Sequence, residues 1–416
     1  MPRHLCRMHP VAAALAVGLA VASLGSAQAQ SSYTLTTLKS SNSLSVTPLR
    51  LDPQNNALGN AYYYSSIGVP IYSNQVSVPL FGGLAMIYTE AMSIWPAGTT
   101  STVTAKRLAS DGFGMLAASP DGRLVYAVPG LYGVSGSAAK LQTMSRFNMV
   151  GSNSVSVVYG SMGTRSLSSA GTLSSTVTLS DANLDGAERA AVWEGPNLVG
   201  RFLDQSGYRS SLAHSIADNE AVAGAVAEST TGIWRAVVWS GSTRRVLDQQ
   251  AGRGSVARQV NSAGQVLACM ADAVVKTSVV EGTTYTATLY SRLRPVVIDG
   301  AGEREVLAPT SGQAVTAWAM NASGVVVGRA GPYHNPYAGG DTPRTCINTD
   351  DTTSRALIWR DGVSSDLTTW VASKGVKLPS GAVLTDAYDI NDQGSILAVM
   401  RASNGVLSKV RLTAKP

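Results

Sequence analysis

Met320-Asn321-Ala322-Ser323-Gly324-Val325-Val326-Val327-Gly328 is the stretch on which the fold turns. Asn and Gly three apart supply the residues that tolerate positive φ and bond their own backbone, so they mark a tight turn. The aliphatic residues on either side alternate as those of strands do, so the nonapeptide reads as a hairpin. It recurs as Val260-Asn261-Ser262-Ala263-Gly264-Gln265-Val266-Leu267-Ala268 and as Ile390-Asn391-Asp392-Gln393-Gly394-Ser395-Ile396-Leu397-Ala398. Ile216-Ala217-Asp218-Asn219-Glu220-Ala221-Val222-Ala223-Gly224 is a degraded copy. Three weaker copies begin at Leu51, Ala118 and Leu167. Starts at 51, 118, 167, 216, 260, 320 and 390 fit a unit of about 44 residues with insertions.

A second element follows the box. It reads Arg-Ala-x-aliphatic-Trp at Arg189–Trp193, Arg235–Trp239 and Arg355–Trp359, with Arg294–Ile298 as a degraded version. A glycine follows closely (Gly195, Gly241, Gly300, Gly362), and then a short aliphatic element containing Leu203, Leu247, Leu307 or Leu367. Two strands around the Asn turn, a third ending in Trp and a fourth carrying the Leu make one propeller blade. The chain therefore predicts an all-β fold: a β-propeller of seven four-stranded blades. The ends agree. Tyr33–Leu38 looks like a fourth element with no third before it, and Lys409–Leu412 like a third with no fourth after it. The N- and C-terminal strands are thus expected to complete one blade and remove an exposed sheet edge.

Before this domain, a basic start with Arg3 and Arg7, an uncharged apolar run Val11–Leu24 and the Ala27-Gln28-Ala29 site read as a signal peptide over 1–29. The run is shorter than a membrane-spanning helix needs, and no other stretch could span. Residues 30–416 form the repeat domain, with insertions at about 60–90, 269–293 and 329–354. The destination implied is the periplasm or the extracellular space. Only 14% of residues are charged and the formal net charge is +6, with no dense Lys/Arg cluster, which argues against a nucleic-acid partner. Cys269 and Cys346 either pair in an oxidising compartment or are two buried thiols.

These boxes resemble the HAF-repeat family of extracellular bacterial repeat proteins, whose units combine Ile-Asn-x-x-Gly-x-Val-x-Gly, His-Ala-Phe-aliphatic-Trp and Asp-Leu segments. The likeness spans most of the chain and is strongest from 210 onward. Here Arg-Ala stands where the family has His-Ala-Phe. The resemblance implies fold and location, not a reaction.

Chemistry is sparse. Beyond position 30 the only histidines are His214 and His334, and neither a Gly-x-Ser-x-Gly elbow nor a His-Glu-x-x-His pair occurs. The repeated Trp193, Trp239 and Trp359 read as packing between sheets, and Arg189, Arg235 and Arg355 as side chains lying along strands or paired with acids. Asp181-Ala182-Asn183-Leu184-Asp185-Gly186 has the alternating oxygens of a Ca²⁺ loop through Asp181, Asn183 and Asp185, but Val192 stands where an EF-hand Glu would close it. A turn rich in Asp and Asn is the competing reading, and no other cofactor is implied. The insertion after Gly328 carries Tyr333, His334, Tyr337, Asp341 and Arg344, rings and polar groups suited to a sugar. Tyr62, Tyr63, Tyr64 and Tyr72 mark another insertion as a second surface or as extra strand. The function expected is an exported, non-catalytic protein binding a polysaccharide or an envelope or surface protein. The alternative is a secreted carbohydrate-active enzyme, a glycosidase or a lyase using His334.

Overall fold

Every copy of the box, strong or weak, closes the same five-residue connection between two antiparallel strands. The fourth connection residue donates its N–H to the carbonyl of the first: Asn55 to Asp52, Gly122 to Ser119, Gly171 to Ser168, Glu220 to Ala217, Gly264 to Asn261, Gly324 to Asn321 and Gly394 to Asn391. All seven of these fourth residues have positive φ, including the non-glycines Asn55 (65°) and Glu220 (60°). This is a type I turn followed by a left-handed residue, the combination that suits a twisted hairpin. In six turns the side-chain oxygen of the first residue also accepts a backbone N–H from the far end of the connection, as Asn321 does from Val325 at 3.0 Å and Ser168 from Thr172 at 3.1 Å. Ala217 has no such oxygen, and there Asn219 accepts from Ala221 instead.

The computed structural model describes residues 32–40, 45–65, 76–77, 87–98, 100–108, 114–127, 130–136, 138–144, 166–178, 188–194, 199–302, 304–308, 313–332, 346 and 353–415. They form a seven-bladed β-propeller. Blade four shows the plan: Tyr208–Ile216, Val222–Glu228, Trp234–Ser240 and Thr243–Val246 in simple antiparallel order. Blade seven consists of Val383–Ile390, Ile396–Arg401, Leu407–Ala414 and, from the other end of the chain, Tyr33–Lys39. Tyr33 pairs with Ala414 and Thr37 with Val410, so the two ends do complete one sheet. The short strand Thr102–Thr104 adds to it in parallel beyond Tyr33–Lys39. Blade one is the least regular. Val46–Leu51, Ala57–Ser65 and Ile87–Trp95 pair in sequence, and the last is flanked by Val76–Ser77 and Lys106–Arg107 at different heights.

The core is divided among the gaps between sheets. In each of the four Trp-bearing blades the indole sits at the third-strand position opposite the start of the second strand: Trp193 opposite Leu173, Trp239 opposite Val222, Trp359 opposite Val326, and also Trp95 opposite Ala57. All four are at most 3% exposed, which settles their role as packing. Trp95 lies outside the Arg-Ala pattern and escapes the sequence reading. The second strand leaves little room. A Cβ on Gly328 would lie 2.1 Å from the Thr316 carbonyl oxygen, and one on Gly224 1.8 Å from that of Leu212.

Two expectations change in detail. The leucine of the last element follows the fourth strand rather than lying within it, as at Leu203 and Leu307. Leu367 opens a helix, Leu367–Ser373, capped by the Asp366 carboxylate accepting the Thr369 N–H; Leu367 and Val371 are its buried residues. The insertion 269–293 takes the form of strand: the second and third strands of blade five run on as Val266–Val280 and Thr283–Ile298, paired to the tip at Val280 and Thr283.

Candidate functional site

Because the strands of every blade alternate in direction from the same starting end, all seven Asn-type turns lie on one face. All second-to-third-strand connections lie on the other. On the first face these seven turns are uniform and interlocked. Asn261 Nδ2 donates to the Asn321 carbonyl, Asn321 Nδ2 to that of Asn391, and Asn391 Nδ2 to that of Asp52, carrying the chain of bonds from blade five round to blade one. Between blades three and four Ser168 Oγ donates to Glu220 at 2.7 Å. The box asparagine is therefore a turn residue and a clasp at once.

A second set of clasps lies at the end of the first strands. Ser166, Ser215, Gln259 and Asp389 each accept the backbone N–H of the residue opening the next blade's box: Ile216, Val260, Met320 and Leu51. The residue before each of Ser215, Gln259 and Asp389 sits in a β-bulge, as do its counterparts in blades one, two and six. These bulge positions are Leu49, Leu116, His214, Arg258, Trp318 and Tyr388, always two residues before the box. All but Leu116 border a cavity of about 280 Å³ to which all seven blades contribute, which places it on the propeller axis at the turn face. The constant offset is a signal the sequence carried and the reading missed. Trp318 is fixed at its edge, its Nε1 donating to Asp386 at 2.9 Å, with the Arg329 guanidinium 5.5 Å from its ring centre. Asp389 stands beside Arg50, yet loss of solvent dominates and pushes its carboxyl up to about 6. Tyr388 is pushed well above the ordinary phenol value by the same cause.

The opposite face carries every long insertion. Residues 66–86 lie between the second and third strands of blade one, 179–187 in blade three, the extended hairpin in blade five and 332–354 in blade six. Asp181, Asn183 and Asp185, and Tyr333, His334, Tyr337, Asp341 and Arg344, lie outside the described residues, as do residues 1–31 and Tyr72. Tyr62, Tyr63 and Tyr64 belong to the second strand of blade one. Cys269 and Cys346 form a disulfide with Cα atoms 5.8 Å apart, tying the blade-six insertion to the base of the blade-five hairpin. That hairpin leans on blade four through the Tyr290 hydroxyl, which accepts the Trp234 N–H at 3.1 Å. Beyond that support Val274, Val279, Val280 and Tyr285 are all more than half exposed. Of the repeated arginines, Arg235 is buried against Glu228 at 2.6 Å, Arg189 stacks on Phe202, and Arg355 is exposed. No group of three or more metal-binding side chains occurs among the described residues.

No protein-family model and no curated protein matches the chain. Among solved structures it is similar to the crystal structure of Porphyromonas gingivalis dipeptidyl peptidase 4, at 11% identity and a TM-score of 0.40, over 86% of this chain and 51% of that one. The chain thus spans about half the length of that peptidase. No helix among the described residues is long and apolar enough to cross a membrane.

Proposed function

We propose that this chain is an exported, non-catalytic HAF-repeat propeller that holds a carbohydrate or protein ligand on its insertion face, in the periplasm or outside the cell. One observation carries the reading. Every long insertion leaves the same face, while the opposite face is occupied by seven turns of one length and one bonding pattern. Variable segments on a rigid scaffold are where binding concentrates, and the exposed Val279 and Tyr285 of the blade-five hairpin add apolar surface there. Export is supported by the signal-type start and fits the Cys269–Cys346 bond.

The test is a thermal-shift screen of residues 30–416 against envelope and plant polysaccharides, with an envelope-protein pull-down beside it. A ligand that binds only the folded state raises the midpoint by mass action. A shift or a captured partner is expected, and it should be lost when the hairpin is cut back to a two-residue turn between Asp272 and Ser291. Binding that survives this shortening and removal of 333–345 would sink the insertion-face reading. Turnover of a polysaccharide, abolished in His334→Ala, would replace it with the enzyme reading.

A further inference from the structure

The axial cavity on the turn face is built by a repeated device. In the first strand of blade five Ala257 and Val260 pack with blade-four residues, while Gln259 reaches blade six and bonds the Met320 backbone in both directions. The bulge residue beside them, Arg258, borders the cavity. His214 in blade four and Trp318 in blade six hold the same place. A bulge disrupts the strand ladder and re-aims one side chain. Three consecutive blades thus each bend a strand to set a polar or aromatic group beside the axis. Leu49 and Pro120, from blades one and two, border the same space with apolar surface.

The border carries both signs of charge. Guanidinium groups come from Arg50 and Arg258, and carboxyl groups from Asp218, Asp389 and Asp392. Each of these acids is fixed by a backbone N–H, from Ser169, Leu51 and Ala322 respectively. The indole of Trp318 is fixed by its bond to Asp386. An ion of either sign meets its like at this border. A neutral polyol meets positioned donors and acceptors, which its hydroxyls can answer in both senses, and an aromatic ring for its C–H surface. The volume of about 280 Å³ falls just below the usual ~300–1,000 Å³ of small-molecule sites, room for one ring rather than a chain.

From this geometry we infer that the axial cavity binds a single neutral hexose ring, its C–H face on Trp318 and its hydroxyls bonded by Arg258 and His214. The site lies on the face opposite the insertions and goes beyond the ligand proposed there. Because its three groups come from three blades, it exists only in the assembled ring.

The experiment is isothermal titration of residues 30–416 with the methyl glycosides of glucose, galactose and mannose, and with glucuronate and glucosamine as charged counterparts. At least one neutral hexoside binds, with little dependence on salt, and both charged sugars bind more weakly. Arg258→Gln and Trp318→Leu each weaken that binding roughly tenfold, the scale of one lost charged-donor bond or ring contact, and Trp318→Phe keeps most of it. Arg258→Gln leaves the ligand-free melting midpoint unchanged and carries the test if Trp318→Leu does not fold. Cutting the blade-five hairpin back to a turn between Asp272 and Ser291 leaves hexoside binding intact, whereas it removes an insertion-face ligand, so the two readings fail separately. No binding of any neutral hexoside, equal or tighter binding of a charged sugar, binding indifferent to both Arg258→Gln and Trp318→Leu, or binding lost with the hairpin would each overturn the axial site.

Discussion

The two faces of this propeller come from the same strands, yet one is built by repetition and the other by exception. On the turn face a five-residue connection recurs in every blade with one bonding pattern, whether its residues are Asn321 and Gly324 or Ala217 and Glu220. On the insertion face the corresponding connections run from two residues between Ala127 and Gly130 to twenty-three between Gly331 and Arg355. The difference locates two kinds of constraint. Repeated residues hold neighbouring blades to one another in one pattern, whereas on the insertion face blades are bridged by contacts that do not recur, Tyr290 on blade four and the Cys269–Cys346 bond. The seam between blades seven and one sharpens the point. Where the junctions from blade three to blade six use Ser166, Ser215 and Gln259, it uses Asp389 at the inner strand and a fully buried Arg411 donating to the carbonyls of Asn55, Trp95 and Pro96. That junction also belongs to the blade completed by both ends of the chain, Tyr33–Lys39 pairing with Leu407–Ala414.

The largest effect should follow from opening that seam. A chain beginning at Ser45 lacks Tyr33 and Leu38, both buried, and the strand that pairs with Leu407–Ala414. At roughly 1.5–3 kcal/mol for each buried side chain, plus an exposed sheet edge, it should lose its single cooperative calorimetric transition. Cutting back the blade-five hairpin should leave that transition in place. Next comes Gly328→Val, whose first added carbon already collides with the Thr316 carbonyl. A loss of about 3 kcal/mol or more in urea unfolding is expected, because the obstacle is backbone that cannot turn aside.

Smaller effects separate the two jobs of the turn residues. Asn321→Ala removes the acceptor for Val325 and the clasp to Asn391, and should cost about 1–2 kcal/mol. Glu220 sits at φ 60° where five other blades have glycine, and its carboxylate accepts from Ser168. Glu220→Ala keeps the strained backbone and loses the bond; Glu220→Gly loses the bond and relieves the strain. The glycine variant should be the more stable of the two by about 1 kcal/mol, and equal stability would show that the left-handed turn there is unstrained.

This contrast also explains what could be read from the sequence. Turn chemistry is local, so Asn321 and Gly324 declare themselves, and the even spacing carries the recognition on to copies as worn as Ala217–Glu220. Ring closure was legible because Tyr33–Leu38 and Lys409–Leu412 are complementary fragments of one unit. Trp95 was missed because Ala91-Met92-Ser93-Ile94 before it lacks the Arg-Ala signature, although its register is that of the other three indoles. The bulge residues His214, Arg258, Trp318 and Tyr388 were missed for a different reason. They share a position but no chemistry, and only the three-dimensional ring shows that the position borders the axis. The Leu367–Ser373 helix was signalled by Asp366 at its start and Gly375 beyond its end, two marks that the strand reading of Leu367 overrode.

Asp389 gives the seam a pH dependence that the serine junctions lack. Its folded-state carboxyl lies near 6, above the ordinary value of 3.8, so between these the folded chain binds the extra proton. Stability contributed by this group therefore falls as pH rises from about 4 to 6 and stays low above that. Asp389→Asn keeps an oxygen for the Leu51 N–H but cannot ionise. Its melting midpoint should fall less between pH 4 and 7 than that of the unaltered chain; parallel curves would refute the seam as the source. Ser215→Ala, at the equivalent junction between blades four and five, should lower the midpoint equally at every pH.

The smallest expected effect tests the comparison from the other side. Val279 is 67% exposed and Tyr285 56% exposed, near the tip of a hairpin whose support on blade four comes lower down, at Tyr290. Val279→Thr with Tyr285→Thr keeps β-forming residues, removes apolar surface that water already wets, and should change unfolding free energy by no more than about 0.5 kcal/mol. If these side chains serve a ligand, the double variant loses binding at unchanged stability. A marked loss of stability would instead mean that the hairpin packs into the fold, and the division of labour between the two faces would not hold.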